Sequence, residues 1–211
     1  MATLWHQQGG GWVGPARRAA AGWLLRAGIA AWLGVLGLLA VGGTAAPGPP
    51  RQPYEFKAAL LQKLAQFVEW PASAQGAPGQ PFVIGILGRD PFEGWLEKVL
   101  GSKTVNGRPI EFRRYTRVEE ALKGHCHLLF IAASEKPRLD SELERLRTAP
   151  ILTVGDTEAF GEKGVMVNLF NSGANVRFEI DAARISEAGL AVSSKLLAVA
   201  AKVRGHPKPG G

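Results

Sequence analysis

Two aspartates, Asp90 and Asp156, lie where acid–base chemistry could occur. Each follows a short apolar segment and a glycine, in the sequences ILGRD and TVGD. Open α/β sheets bind ligands at the carboxyl ends of their strands, and two carboxylates at one such edge could transfer protons. Capping of the helix that follows each strand is the simpler explanation for both aspartates. The sequence thus predicts a sheet edge where a ligand could bind, but it does not identify a reaction.

The one cysteine, Cys126, lies between His125 and His127. Side chains alternate along a strand, so both histidines lie on the face opposite Cys126 and cannot form a nucleophile–base pair with it. Cys126 begins an apolar segment, which favours a packed thiol, although in an oxidising compartment a lone cysteine could link two chains. Zinc-ligand spacing, a serine elbow and a dinucleotide-binding glycine motif are all missing from the sequence. We therefore predict no catalytic, cofactor-binding or metal-binding residues.

Two segments are candidates for contact with a ligand or a protein partner. The first is the turn that follows ILGR, and the second is the segment VRFEI. In VRFEI the two charged residues share one face of a predicted strand and the apolar residues share the other. Such a strand is either solvated on its charged face or lies at an edge where it meets a partner. The candidate contact residues are Asp90, Pro91, Phe92, Asp156, Arg177, Phe178 and Glu179.

Hydrophobic periodicity predicts the elements that would position these residues. A helix is predicted over Tyr54–Trp70, and Pro71 ends it because the residue before a proline avoids helical angles. Its apolar stripe consists of Phe56, Leu60, Leu64, Phe67 and Val68. Continuous apolar segments predict strands buried on both faces at Phe82–Leu87, Cys126–Ile131 and Pro150–Val154.

Further helices are predicted from caps and spacing. The predicted N-caps are Asp90, with Pro91 at the first helical position, Ser134, Asp181 and either Ser193 or Ser194. A short helix is also predicted over Val118–Leu122, and the last helix includes Val203.

Strands and helices alternate along the chain. Lys103–Tyr115, with Asn106-Gly107 inside it, predicts one strand after a turn or a small hairpin. The segments Val165–Phe170 and Val176–Ile180 alternate around a short polar loop, which indicates an antiparallel hairpin. The predicted fold class is therefore α/β, a three-layer sandwich with a mostly parallel central sheet and an antiparallel hairpin at one edge.

Residues 1–46 have the order of a secretory signal peptide. They contain three arginines and no acidic residue, then a 15-residue apolar run, Ala27–Val41, and small residues up to Ala46. An uncleaved membrane anchor is the alternative, although a full span needs about 20 residues. We predict export, a linker over residues 47–53, a folded domain over residues 54–204 and a flexible tail over residues 205–211.

The net charge of +7 does not indicate nucleic-acid binding. The 25 basic residues include the three arginines of residues 1–46, so residues 47–211 carry 22 basic against 18 acidic residues, a net +4. Basic and acidic residues interleave in the predicted domain, and an exported chain would not meet chromosomal DNA. The hydrophobic fraction of 46% excludes an intrinsically disordered chain.

Several motifs, taken in order, resemble the YfiR-like periplasmic proteins. They are FKAAL with FVEWP at 56–71, ILGRDPF at 86–92, NGRP at 106–109, CHLLFI at 126–131, PILTV at 150–154, VRFEI at 176–180 and GL with SSKLL at 189–197. The resemblance covers about residues 54–203.

This resemblance implies a periplasmic α/β protein of a Gram-negative bacterium without enzymatic activity or cofactor. The best-known member represses a membrane-bound diguanylate cyclase by binding its periplasmic sensor domain, and an OmpA-like outer-membrane lipoprotein relieves that repression. We therefore expect this chain to bind and repress an inner-membrane signalling protein, with effects on cyclic-di-GMP and biofilm formation. A periplasmic small-molecule sensor is the alternative. The resemblance also implies a homodimer, and only Cys126 matches a family cysteine position, so an internal disulfide is not expected.

Overall fold

The computed structural model describes residues 52–77, 79–173 and 175–205, with the backbone alone for residues 52 and 53. The predicted signal peptide, most of the predicted linker and the predicted tail beyond Gly205 lie outside these residues. The helices are α1 (Gln52–Gln66), α2 (Ala72–Gln75), α3 (Trp95–Leu100), α4 (Val118–Lys123), α5 (Leu139–Leu146), α6 (Ala182–Glu187) and α7 (Ser194–Val199). The strands are β1 (Val68–Glu69), β2 (Phe82–Leu87), β3 (Thr104–Val105), β4 (Arg108–Tyr115), β5 (Leu128–Ile131), β6 (Leu152–Gly155), β7 (Val167–Ser172), β8 (Asn175–Asp181), β9 (Ala191–Val192) and β10 (Lys202–Arg204).

The central sheet has eight strands in the order β10-β8-β7-β6-β5-β2-β4-β3. Strands β4, β2, β5, β6 and β7 are mutually parallel, while β8 runs antiparallel to β7 and β3 antiparallel to β4. The short strands β1 and β9 form a separate antiparallel pair. No helix within the described ranges is long and apolar enough to cross a membrane.

Helices cover both faces of this sheet because its strands are apolar on both sides. Ile84, on β2, packs in one core cluster with residues of α1, α3, α6 and α7. Val83, the next residue, packs in a second cluster with α4 and the end of α5. This alternation gives three layers, and it confirms the predicted α/β sandwich with a mostly parallel sheet.

The predicted hairpin formed by Val165–Phe170 and Val176–Ile180 is present, and Lys103–Tyr115 forms a small hairpin, the second of its two predicted alternatives. Asn106-Gly107 joins β3 to β4, and β7 pairs with β8 in antiparallel register from Val167↔Ile180 to Ser172↔Asn175. A strand that the sequence did not predict, β10, lies parallel to β8 on its outer side. The prediction that Val203 belongs to the last helix is wrong, because α7 ends at Val199 and Val203 lies in β10.

The first helix differs from its prediction in both length and buried face. It ends at Gln66, four residues before Trp70, because Val68 and Glu69 leave the helix and pair with β9. Phe56 is 58% exposed, whereas the sequence predicted it in the buried stripe. The buried residues of the predicted segment Tyr54–Trp70 are Lys57, Ala58, Leu61, Leu64, Ala65, Val68 and Trp70. The helix is therefore rotated so that Lys57 faces inward.

Two of the predicted N-caps are also wrong. Helix α3 begins at Trp95, after Gly94 in the left-handed conformation (φ 87°), so Asp90 and Pro91 precede the helix rather than start it. The hydroxyl of Ser134 accepts a hydrogen bond from the backbone N–H of Arg89 and caps no helix. The predicted caps at Asp181 and Ser193 are confirmed, since each side chain accepts a backbone N–H of the following helix.

Candidate functional site

The two aspartates follow β2 and β6 at the carboxyl edge of the sheet, and both carboxylates are engaged in ion pairs. Asp156 Oδ2 lies 2.7 Å from Lys57 Nζ. Asp90 Oδ2 lies 2.8 Å from Arg114 Nη2, and Asp90 Oδ1 accepts the backbone N–H of Phe92 at 2.7 Å. These contacts hold α1 against β6 and the turn after β2 against β4. Both aspartates thus have structural roles in this conformation.

The Lys57–Asp156 pair is buried. The two side chains are only 7% and 6% exposed. The ammonium group of Lys57 also lies 4.5 Å from the centroid of the Tyr54 ring. Burial and the nearby Asp156 carboxylate raise the pKa of the Tyr54 hydroxyl. The pair therefore fixes the amino-terminal helix on the sheet in surroundings that exclude water.

The remaining contact candidates divide between core and surface. Phe92 is fully buried, with its ring centroid 4.9 Å from that of Phe130. Phe178 is also buried, and the carboxylate of Glu179 lies 3.3 Å from the guanidinium of Arg204 on β10. Arg177 is exposed. Strand β10 pairs with β8 only over Glu179–Asp181, so Arg177 lies outside the covered part of its strand.

The thiol of Cys126 packs against the sheet. It donates a hydrogen bond to the carbonyl of Leu128 at 3.2 Å, and the residue is 5% exposed. Burial raises the pKa of this thiol to about 12, so it stays protonated at neutral pH. A disulfide to a second chain would require this part of the sheet to open.

We expect the native protein to react with a thiol reagent such as DTNB only as fast as the sheet opens. The reason is that the reactive thiolate is both scarce and covered. The reaction is followed by absorbance, and the same protein in guanidinium chloride serves as the fast control. A native rate equal to the denatured rate would show that the thiol is accessible.

A cleft of about 670 Å³ lies at the opposite, amino-terminal edge of the sheet. Its lining residues are Gln66, Val68, Glu69, Trp70, Gln75, Gly76, Ala77, Gly79, Phe82, Val105, Asn106 and Arg108. They come from the end of α1, from β1, from the end of α2 and the loop after it, from the start of β2 and from the β3–β4 hairpin. The cleft therefore forms where the stretch from α1 to β2 meets the β3–β4 hairpin.

Trp70, Phe82 and His127 pack together beside the cleft. The indole N–H of Trp70 donates to the carbonyl of His127 at 3.2 Å, and the Trp70 and Phe82 rings meet edge to face at 5.1 Å. The backbone N–H of Val83 donates to His127 Nδ1 at 3.1 Å. Burial, followed by the charge of Arg108, lowers the pKa of His127 to about 4.

Arg108 carries the positive charge of this cleft. Its Nε donates to the carbonyl of Gln80 at 2.9 Å, and its Nη2 donates to the carbonyl of Pro81 at 2.7 Å. Nη2 also lies 3.1 Å from His127 Nε2. These backbone carbonyls hold the guanidinium in one orientation at the cleft wall.

Sequence reasoning missed this cleft and placed its candidate edge at the other end of the strands. A signal was available, because Arg108 starts β4 and His127 immediately precedes β5. Polar residues at the amino ends of strands that run parallel in one sheet lie at the same edge, and only β2 separates β4 from β5. Across residues 52–77, 79–173 and 175–205, no group of His, Cys, Asp and Glu could hold a metal ion.

These observations define the class of the protein as a three-layer α/β domain with a cleft at the amino edge of its sheet. The sequence matches the profile described as YfiR/HmsC-like over residues 54–201. The chain belongs to this family, which confirms the resemblance found in the sequence. The family is periplasmic, regulatory and non-catalytic.

The chain is similar in part to two solved structures. A conserved domain protein from Vibrio cholerae O1 biovar El Tor has a TM-score of 0.51 and 10% identity, over 72% of this chain and 60% of that one. An ABC domain in complex with L-Trp from Streptococcus pneumoniae has a TM-score of 0.42 and 13% identity, over 72% of this chain and 62% of that one. This chain thus spans less than two thirds of either protein, and the Vibrio likeness concerns the fold alone. No curated protein matches the chain.

Proposed function

We propose that this protein is a periplasmic regulator that binds an inner-membrane signalling protein and represses it, and so lowers cyclic-di-GMP and biofilm formation. The observation that carries the proposal is the family match over residues 54–201. Residues 1–46, with their arginines and apolar run, support export as a signal peptide. The folded unit acts by protein contact and as a homodimer. An OmpA-like lipoprotein would relieve the repression by binding the regulator in place of the signalling protein.

Repression of this kind is a population shift. The regulator must bind the inactive state of its partner more tightly than the active state, because equal affinity for both states shifts nothing. Moving a partner from almost fully active to almost fully inactive needs a preference of about 10⁴-fold. A surface contact of moderate size can supply that preference if it is complementary to one state only.

The exposed side chain of Arg177 on β8 supports a contact surface on that strand. To test it, tagged protein is purified from detergent-solubilised membranes of the native host, and its affinity for the periplasmic domain of the enriched partner is measured. We expect an inner-membrane signalling protein to be enriched, and Arg177→Glu to weaken binding about tenfold through charge reversal. Arg117→Glu, at another exposed arginine, is the matched control and should bind as wild type does. Failure to enrich any membrane signalling protein would contradict the proposal.

A second candidate function, a periplasmic small-molecule sensor, is favoured by the cleft. Its volume of about 670 Å³ lies within the range of about 300–1,000 Å³ that is usual for small-molecule sites. Thermal-shift measurements against small anions and amino acids test this function, since a ligand that binds only the folded state raises Tm. The sensor and regulator functions are compatible if the ligand alters the affinity for the partner.

A further inference from the structure

The guanidinium of Arg108 is a fixed cation that makes no ion pair with any carboxylate of the described residues. Two of its nitrogens are bonded to backbone carbonyls, which orient the group but carry no negative charge. Its third nitrogen, Nη1, makes no hydrogen bond in residues 52–77, 79–173 and 175–205. Burial lowers the pKa of this guanidinium, because the charged form loses hydration without gaining an anion. An anion bound in the cleft would therefore be stabilised by a cation whose position is already fixed.

The walls around Arg108 combine apolar and polar side chains. Val68, Trp70, Phe82 and Val105 line the cleft, and the Phe82 ring lies 5.8 Å below the guanidinium carbon of Arg108. Because Nε and Nη2 already donate to backbone carbonyls, Nη1 is the nitrogen that can donate to a carboxylate oxygen, and the charge of the guanidinium strengthens that bond. The apolar part of the walls suits a hydrocarbon or aromatic body attached to that carboxylate.

We propose that this cleft binds a small molecule consisting of a carboxylate on an apolar body, with Arg108 receiving the carboxylate. The inference rests on the second candidate function, small-molecule binding, and is independent of the partner-binding function. Glu69 also lines the cleft and carries a negative charge. It acts against an anionic ligand, so it provides a test of the ligand's charge.

The test is calorimetric titration of the purified full-length protein with benzoate, phenylacetate and 3-phenylpropionate. Benzamide, which keeps the ring but lacks the charge, and inorganic phosphate, which lacks the apolar body, are the comparison probes. We expect at least one aromatic carboxylate to bind, and benzamide and phosphate to bind at least tenfold more weakly, since charged hydrogen bonds contribute on that scale. The inference is overturned if none of the three carboxylates binds or if benzamide binds as well as benzoate.

Three variants test whether the carboxylate binds beside Arg108 and Glu69, and a fourth is the control. Arg108→Gln should weaken binding of the carboxylate at least tenfold, and Arg108→Lys should be intermediate because it keeps a positive charge but loses the two backbone contacts that orient the guanidinium. Glu69→Gln should strengthen binding, because a like charge is removed from the cleft. Arg117→Gln, an exposed arginine outside the cleft, should leave affinity unchanged. Unchanged affinity in a folded Arg108→Gln variant, or weaker binding in Glu69→Gln, would contradict the assignment. Loss of binding to the protein partner alone would contradict the proposed regulator function and not this assignment.

Discussion

Replacing Lys57 with methionine is expected to lower the free energy of unfolding by about 3–5 kcal/mol. The substitution removes one member of an ion pair whose side chains are 7% and 6% exposed, and leaves the carboxylate of Asp156 buried and unpaired. Asp156→Leu should have an effect of similar size, because it leaves a buried ammonium. Urea denaturation followed by circular dichroism measures these differences.

The chain offers a matched control on its surface. Lys163 pairs with Asp140 at 2.9 Å, but the two side chains are 38% and 75% exposed. Lys163→Met should therefore change the free energy of unfolding by less than about 1 kcal/mol. The double variant Lys57→Met, Asp156→Leu should recover most of the stability, since both charges are gone. If the double variant is as unstable as the sum of the two single variants, the loss does not come from an unpaired buried charge.

The free energy of unfolding should fall as the pH is lowered from about 6.5 to about 4, and His127 should account for a large part of the change. Its pKa is near 4 in the folded protein and returns to its ordinary value of 6.5 on unfolding. Within this interval the unfolded state binds the proton and the folded state does not, so acid favours unfolding. At about 1.4 kcal/mol per pKa unit, the contribution of His127 reaches roughly 3 kcal/mol.

The contribution is isolated by His127→Asn, compared with wild type at each pH. The amide oxygen of asparagine can take the place of Nδ1 and accept the N–H of Val83, which limits other damage. Between pH 6.5 and pH 4, the free energy of unfolding of the variant should depend less on pH than that of wild type. The dependence that remains comes from carboxylates. His125→Asn is the matched control, because His125 is exposed and has a positive φ of 50° that asparagine tolerates. An unchanged slope in His127→Asn would contradict the assigned burial of its ring.

Long apolar segments made much of the fold predictable. Strands β2, β5 and β6 consist of nearly continuous apolar residues and are buried on both faces, a pattern that belongs to parallel sheets. The β7–β8 hairpin followed from alternation on either side of a polar loop. The caps at Asp181 and Ser193 depended only on neighbouring residues, so local chemistry was sufficient to find them.

The features that the sequence did not reveal depend on distant partners. The buried face of α1 is set by Lys57, whose partner Asp156 lies 99 residues away. Strands β1, β9 and β10 contain two or three residues each, which is too short for periodicity to show. The cleft combines Trp70, Phe82 and Arg108, and each has an ordinary local explanation until the sheet brings them together.

The level of cyclic-di-GMP in the native host tests the proposed regulation most directly. It is measured by mass spectrometry in the wild type, in a strain that lacks the gene and in that strain complemented with the full chain or with a chain that lacks residues 1–46. The proposal predicts a rise on deletion, a return to the wild-type level with the full chain and no return with the shortened, unexported chain. An unchanged level on deletion, or restoration by the shortened chain, would contradict periplasmic repression of a cyclic-di-GMP signalling protein.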